Sequence, residues 1–224
     1  MRMTRKQRKK KKQLRMRNKK LVKKYPYLAP RNWWTGKIPK DYDYSWVNWG
    51  WSDGWDKAFG WQYLEELDKA LKESGQKNFT ILQQKEKYGS ARNYTSGTTQ
   101  KVHDIIDKYE HISEHVCYYC GREAPMTDTG WVLPQCFRCF CKVYRRNEKW
   151  YLENHLEKTP KTDEELREIY EKSICDTPDE NGEYHIPYTY TIKRSVRGGD
   201  WEEIVYDISD TVKKIQKRIS RWNG

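Results

Sequence analysis

No apolar run in this 224-residue chain approaches the roughly 20 residues that cross a bilayer as a helix, so a soluble protein is expected. Its basic N-terminus also lacks the apolar stretch of a secretory signal. The expected compartment is therefore the cytoplasm, where thiols stay reduced. Acidic residues are missing from positions 1–24, which carry 14 Lys and Arg. The formal net charge of +12 is thus the property of a head, because the other 200 residues hold 30 basic and 32 acidic side chains and sum to −2. HExxH, GxxxxGK, GxGxxG and GxSxG are all absent, so none of these metalloprotease, nucleotide-binding or hydrolase signatures is available. Only 36% of the residues are hydrophobic, but 11 Trp and 17 Tyr point to an aromatic-rich core.

What the chain does have is a cysteine pattern. Cys117-Tyr118-Tyr119-Cys120-Gly121 is followed, with fifteen residues between Cys120 and Cys136, by Cys136-Phe137-Arg138-Cys139. Two CxxC pairs at this separation have the spacing of a tetrahedral four-thiolate zinc site, with Cys117, Cys120, Cys136 and Cys139 as ligands to one structural Zn²⁺. Disulfides are the competing use of six cysteines, and the reducing compartment argues against them. Gly121 is free to take the positive φ that a knuckle needs after its second ligand. The intervening residues suit a hairpin turning at Thr127-Asp128-Thr129-Gly130. The second pair falls at the start of a helical pattern, so the module reads as treble-clef-like, with a zinc ribbon as the alternative. A closed four-sulfur site contributes folding energy and not catalysis. Cys141, two residues past Cys139, could be an alternative ligand, but a buried or partly exposed free thiol is the expected reading, and Cys175 is expected to serve packing.

The head contains Arg5, Lys6, Arg8, Lys9, Lys10, Lys11 and Lys12, then Arg15, Arg17, Lys19 and Lys20. Self-repulsion predicts a disordered tail, with weak helical character from Leu14, Met16, Leu21 and Val22 once the charge is neutralised. Such a tail binds polyanions by counterion release with little sequence preference. Nucleic acid, RNA or DNA, is the expected partner. Arg138, Lys142, Arg145 and Arg146 beside the cysteines could add a small basic face.

Residues 25–44 hold prolines and aromatics without a period and read as an irregular arm. Seven of the tryptophans lie between Trp33 and Trp61. Burial is the expected fate of such a set, because exposing it is costly; exposed, it would form a stacking platform or a partner groove. A helix is predicted from about Asp53 to Lys72, capped by Ser52 or Asp53 and ended by Ser74-Gly75. A hairpin turning at Tyr88-Gly89 follows, and then a helix with Val102, Ile105, Ile106, Tyr109, Ile112 and Val116 on one stripe. Beyond Cys139, Phe140 to Leu156 reads as helix. Thr162-Asp163-Glu164-Glu165 is a capping box opening a helix to about Ser173. Tyr188–Lys193 and Trp201–Ile208 form a second hairpin around Arg197-Gly198-Gly199-Asp200, before a closing helix from Asp210 to Trp222. The expected fold is α+β: a mixed domain with two β-hairpins and several helices, divided as 1–24, 25–116, 117–157 and 158–224.

Among the histidines His103, His111, His115, His155 and His185, only His111 and His115 share a helix face, and a surface pair is the expected reading. Lys85, Glu86 and Arg92 could make a catalytic set, but exposed strands carry such charges routinely. A zinc-stapled nuclease of the HNH type needs a histidine-rich hairpin, and the residues between the two cysteine pairs contain no histidine.

Several short pieces occur in a particular order. They are Tyr25-Pro26-Tyr27-Leu28-Ala29-Pro30-Arg31-Asn32, Asp41-Tyr42-Asp43-Tyr44, Gly54-Trp55, and Gln84-Lys85-Glu86-Lys87-Tyr88-Gly89 with Arg92-Asn93-Tyr94. Tyr109-Glu110 with Ser113, the first cysteine pair, Gly130-Trp131 and the second cysteine pair complete the series. This order resembles a family of small bacteriophage and prophage proteins. It covers about half the chain; the head and residues 142–224 lie outside it, and Ser90-Ala91 stands where the family often has Leu. The resemblance implies a viral accessory protein of the host cytoplasm and no particular activity. The expected function is non-enzymatic nucleic-acid binding through the head. The alternative is a protein-binding module that docks a host or phage protein through the Trp/Tyr-rich body. No small-molecule substrate is evident.

Overall fold

Thr4 opens the first helix, α1 (Arg5–Lys24), although charge repulsion along the head predicts disorder there. Its side chain accepts from the Gln7 amide at 3.2 Å, and the Gln7 side chain accepts from the Thr4 amide at 2.8 Å. This capping box satisfies two of the amides that a helix start leaves orphaned. The second half of α1 is anchored laterally: Asn18, 3% exposed, donates to the Tyr44 carbonyl at 2.9 Å, and Arg15 pairs with Asp43. The disordered head is thus corrected to a capped and anchored helix, because local polar contacts offset the repulsion. The computed structural model describes residues 4–32, 34–154, 162–175, 187–195 and 201–222.

Among the described residues the remaining elements are a 3-10 turn at Pro26–Leu28, α2 (Asp53–Trp55), a π-turn at Asp56–Gly60, α3 (Trp61–Glu73), β1 (Thr80–Lys87), β2 (Ser90–Ser96) and α4 (Gln100–Glu114). They continue with β3 (Met126–Asp128), β4 (Val132–Pro134), α5 (Phe137–Arg146), α6 (Glu148–Asn154), α7 (Asp163–Lys172), β5 (Thr189–Ser195), β6 (Trp201–Asp207) and α8 (Ser209–Trp222). The α+β expectation holds: helices accompany three two-stranded sheets, β1-β2, β3-β4 and β5-β6. The predicted helix beyond Cys139 is two, interrupted at Asn147. The arginine-glycine turn between β5 and β6 and the loop from Asp176 to Gly182 lie outside the described residues.

Contacts divide the chain into two units. The first comprises Met1–Trp51, Gln62–Lys85 and Arg92–Asp107; the second comprises Ser52–Trp61, Glu86–Ala91 and Lys108–Gly224. In the first, Tyr25, Tyr27, Leu28, Leu64, Leu67, Leu71, Phe79, Ile81, Val102 and Ile106 are buried. The irregular arm is tied down by hydrogen bonds, as its lack of periodicity requires: Tyr27 donates to the Leu64 carbonyl at 3.4 Å and Asn48 to the Ile81 carbonyl at 2.6 Å.

In the second unit, Ser52 caps α2 by accepting from the Trp55 amide at 3.2 Å. The predicted stripe of α8 is buried as Val212, Ile215 and Ile219, each contributing about 1.5–3 kcal/mol. Phe140, Cys141, Tyr144, Leu166 and Tyr170 join α5 to α7 in one cluster, and Tyr170 donates to the Gln135 carbonyl at 2.7 Å. The Thr162 capping box of α7 is present as expected. β5 and β6 pair antiparallel from Thr189↔Asp207 to Ser195↔Trp201.

The tryptophans correct the burial expectation. Of the six described tryptophans between Trp34 and Trp61, only Trp55 is fully buried; Trp34, Trp46 and Trp61 are exposed, and Trp49 and Trp51 are half-buried. Tyrosines fill the core in their place. Trp33 lies outside the described residues.

Candidate metal centre

The backbone builds the first cysteine pair into a tight knuckle. The Gly121 amide donates to the Cys117 carbonyl at 2.9 Å, the Cys117 amide to the Arg122 carbonyl at 2.6 Å and the Ala124 amide to the His115 carbonyl at 3.1 Å. Gly121 sits at φ +79°, a conformation with no steric cost for glycine alone. The hairpin β3–β4 follows in the register Met126↔Pro134 to Asp128↔Val132. The Cys175 amide, donating to the Met126 carbonyl at 2.9 Å, lays residues 173–175 along β3. Cys136 is the N-cap of α5 and Cys139 lies in its first turn, where the positive end of the helix dipole favours thiolates. Knuckle, hairpin and helix start give the treble-clef order.

Cys117, Cys120, Cys136 and Cys139 converge, all four sulfurs lying within 4.8 Å of one another. Cys120 Sγ and Cys136 Sγ are 3.6 Å apart, close to the edge of about 3.8 Å of a tetrahedron with bonds of about 2.3 Å. Cys117 and Cys139 are buried and the other two half-buried. Hydrogen bonds from Cys117 hold the Cys120 thiol below the ordinary cysteine range, with the Arg122 amide in support. Cys136 is held at about 7, again chiefly by Cys117 and with help from the Cys139 amide. Hydrogen bonds from Cys120 push the Cys117 thiol up, and those from Cys117 do the same to Cys139. Four sulfurs in this arrangement fit a metal ion and leave no position open for substrate. Among the described residues no other group of His, Cys, Asp and Glu is placed to hold a metal.

A buttress behind the knuckle explains several motif pieces whose roles are invisible in the sequence. A Cβ on Gly54 would lie 2.5 Å from the carbonyl oxygens of both Cys117 and Tyr118, so only glycine permits this approach. Next to it, the Trp55 indole N–H donates to the Val116 carbonyl at 2.8 Å. The Tyr88-Gly89 turn has φ +52° and +78°, as a two-residue type I′ hairpin requires. Glu86 closes it: one carboxylate oxygen accepts from the Gly89 amide at 2.8 Å and the other from the Trp131 indole at 3.0 Å. Ser113 Oγ accepts from the Ala91 amide at 2.8 Å. Glu86 thus closes the hairpin turn, and Lys85 lies over the Tyr94 ring at 4.7 Å.

The histidine expectation needs correction. His115 is buried beside Tyr188, with ring centroids 5.0 Å apart, and burial pulls its imidazole down to about 4. His111 stacks on Tyr190 at 4.0 Å. Cys141 is a buried thiol, as expected, but Cys175 is exposed and not a packing residue.

The basic residues separate into two sets. On α1, Arg5, Lys6, Arg8, Lys9, Lys10, Lys11, Lys12, Arg17, Lys19 and Lys20 are exposed, and Arg15 is half-buried. In the second unit Arg138, Lys142, Arg145 and Arg146 are exposed on α5, spaced to share a stripe, with Arg145 paired to Asp163 at 2.5 Å. No helix among the described residues is long and apolar enough to cross a membrane. No protein-family model, curated protein or solved structure matches this chain.

Proposed function

We propose that this chain is a zinc-stapled, non-enzymatic accessory protein of a bacteriophage that binds nucleic acid through α1. The observation that carries the reading is the first half of that helix. Every residue from Thr4 to Leu14 is exposed, and positions 5–12 hold seven cations and no acid. A helix advances about 1.5 Å per residue, so this charge density is comparable to that of duplex DNA, which carries one phosphate per about 1.7 Å. Like charges at i,i+4 each cost a few tenths of a kcal/mol, a strain that phosphates relieve. Zinc is the ion assigned to the cluster, since two CxxC pairs at this separation have the spacing of a tetrahedral four-thiolate zinc site. The phage assignment rests on the motif order alone.

The test is retention of RNA and DNA by the metal-loaded protein across a salt series, beside a variant carrying Lys9→Gln, Lys10→Gln, Lys11→Gln and Lys12→Gln. Binding should weaken steeply with salt, and the variant should flatten the log–log slope by about 3. Absence of binding at moderate salt rejects the reading. A second reading, docking of a host or phage protein by the aromatic body, is favoured by the exposed Trp61 and Trp131 rings. Under it the fourfold variant keeps its activity.

A further inference from the structure

Residues 41–46 form an aromatic turn fastened to the flank of α1. The Tyr42 hydroxyl donates to the Trp46 carbonyl at 2.6 Å, and Asp43 accepts from the Ser45 amide at 2.9 Å. Tyr44 sits at φ +60°, left-handed backbone that a tyrosine adopts only when its surroundings impose it. In that conformation its carbonyl accepts from Asn18 at 2.9 Å, while the Lys19 ammonium lies 5.9 Å from its ring centroid. The Tyr42 and Tyr44 rings are 4.7 Å apart, and the Trp46 ring is 55% exposed. Arg15, which pairs with Asp43, and Lys19 belong to the helical stripe that continues through Lys12 and Arg8. The strained turn therefore sets the Tyr44 ring beside the line of cations, with the Tyr42 ring against it and the Trp46 ring exposed two residues on.

We propose that this turn stacks unpaired bases of a strand whose phosphates α1 holds, so that the preferred ligand is single-stranded or looped nucleic acid. The proposal rests on the reading of α1 as the phosphate-binding element. Counterion release by itself favours the more densely charged duplex. Bases inside a duplex already have both faces covered, whereas an unpaired base gains a stacking partner on an exposed ring. Cations alone would thus select duplex, and cations flanked by rings select the single strand.

Trp46→Ala is the discriminating variant, because Tyr42 bonds to the backbone of Trp46 and the turn keeps that bond. Binding of the full-length, metal-loaded protein would be measured for a 20-nucleotide single strand, the same strand lacking its bases, and the corresponding duplex, each as RNA and as DNA. The expected result is that Trp46→Ala loses about five- to a hundredfold on the single strand, the effect of one lost base stack. It should change duplex binding little, and it should have no effect on the strand without bases. Equal binding of wild type and Trp46→Ala to the single strand overturns the proposal, as does wild-type preference for duplex. In either case the fourfold lysine variant reports separately on α1: weakened binding leaves the phosphate-contact reading standing. No binding of any probe by the wild type overturns both.

Discussion

The cysteine module and α1 are ordered by opposite means. At the module, everything converges on one buried point: knuckle hydrogen bonds, the Gly54 approach, the Trp55 indole and the start of α5 all serve the same four sulfurs. α1 is held at its N-cap and along its second half, by Arg15 and Asn18 and, near its end, by Lys24 against Glu65, with seven repelling charges in its first half. A cross-linked point fails all at once, whereas a capped and pinned helix softens in stages.

The sharpest way to break this comparison is to take from the four cysteines the metal they are proposed to hold. Chelation, or Cys117→Ser, should abolish amide protection across 117–146, since structural zinc supplies on the order of 10 kcal/mol to small zinc modules. Protection around Asn18 should persist. Hydrogen exchange measures both, and joint loss would mean that α1 does not have its own support. Next in size is Gly54→Ala, where the added Cβ meets two carbonyl oxygens; a loss of about 1–3 kcal/mol in denaturant unfolding is expected, and a neutral result would show that the knuckle gives way.

For the helix, Asn18→Ala leaves the Tyr44 carbonyl without its donor and should cost about 1 kcal/mol, read as lowered protection in α1 with the module unchanged. The smallest effect should come with pH. Hydrogen bonds from Ser45, with Arg15 in support, hold the exposed Asp43 carboxyl below its usual range. A depressed folded-state value means that this contact stabilises at neutral pH and is lost as pH falls through it, below the ordinary aspartate range near 4. An NMR titration should show the 42–46 turn loosening there, and Asp43→Asn should remove that step.

Much of the chain was legible because its signals are local. The Thr162 capping box, the Tyr88-Gly89 turn and the Ser52 cap each need only three or four neighbouring residues, and each is present. The cysteine spacing foretold the cluster for a related reason, since two knuckle-sized pairs joined by a hairpin-sized link have few other ways to fold. The interruption at Asn147 broke the predicted helix without a Gly or Pro to announce it. The order of α1 was missed because charge repulsion was weighed without the carbonyl of Tyr44, 26 residues away.

By itself, then, the sequence determined the thiolate set, the α+β composition and the polarity of the head, all consequences of short-range geometry and composition. Tertiary structure decided which rings are covered and which cations are pinned. It placed Trp55 in the core and left Trp46 outside, made Gly54 indispensable to a knuckle more than sixty residues on, and turned His115 inward. Burial depends on what packs against a side chain, and for Trp55 that partner is the carbonyl of Val116, 61 positions along the chain.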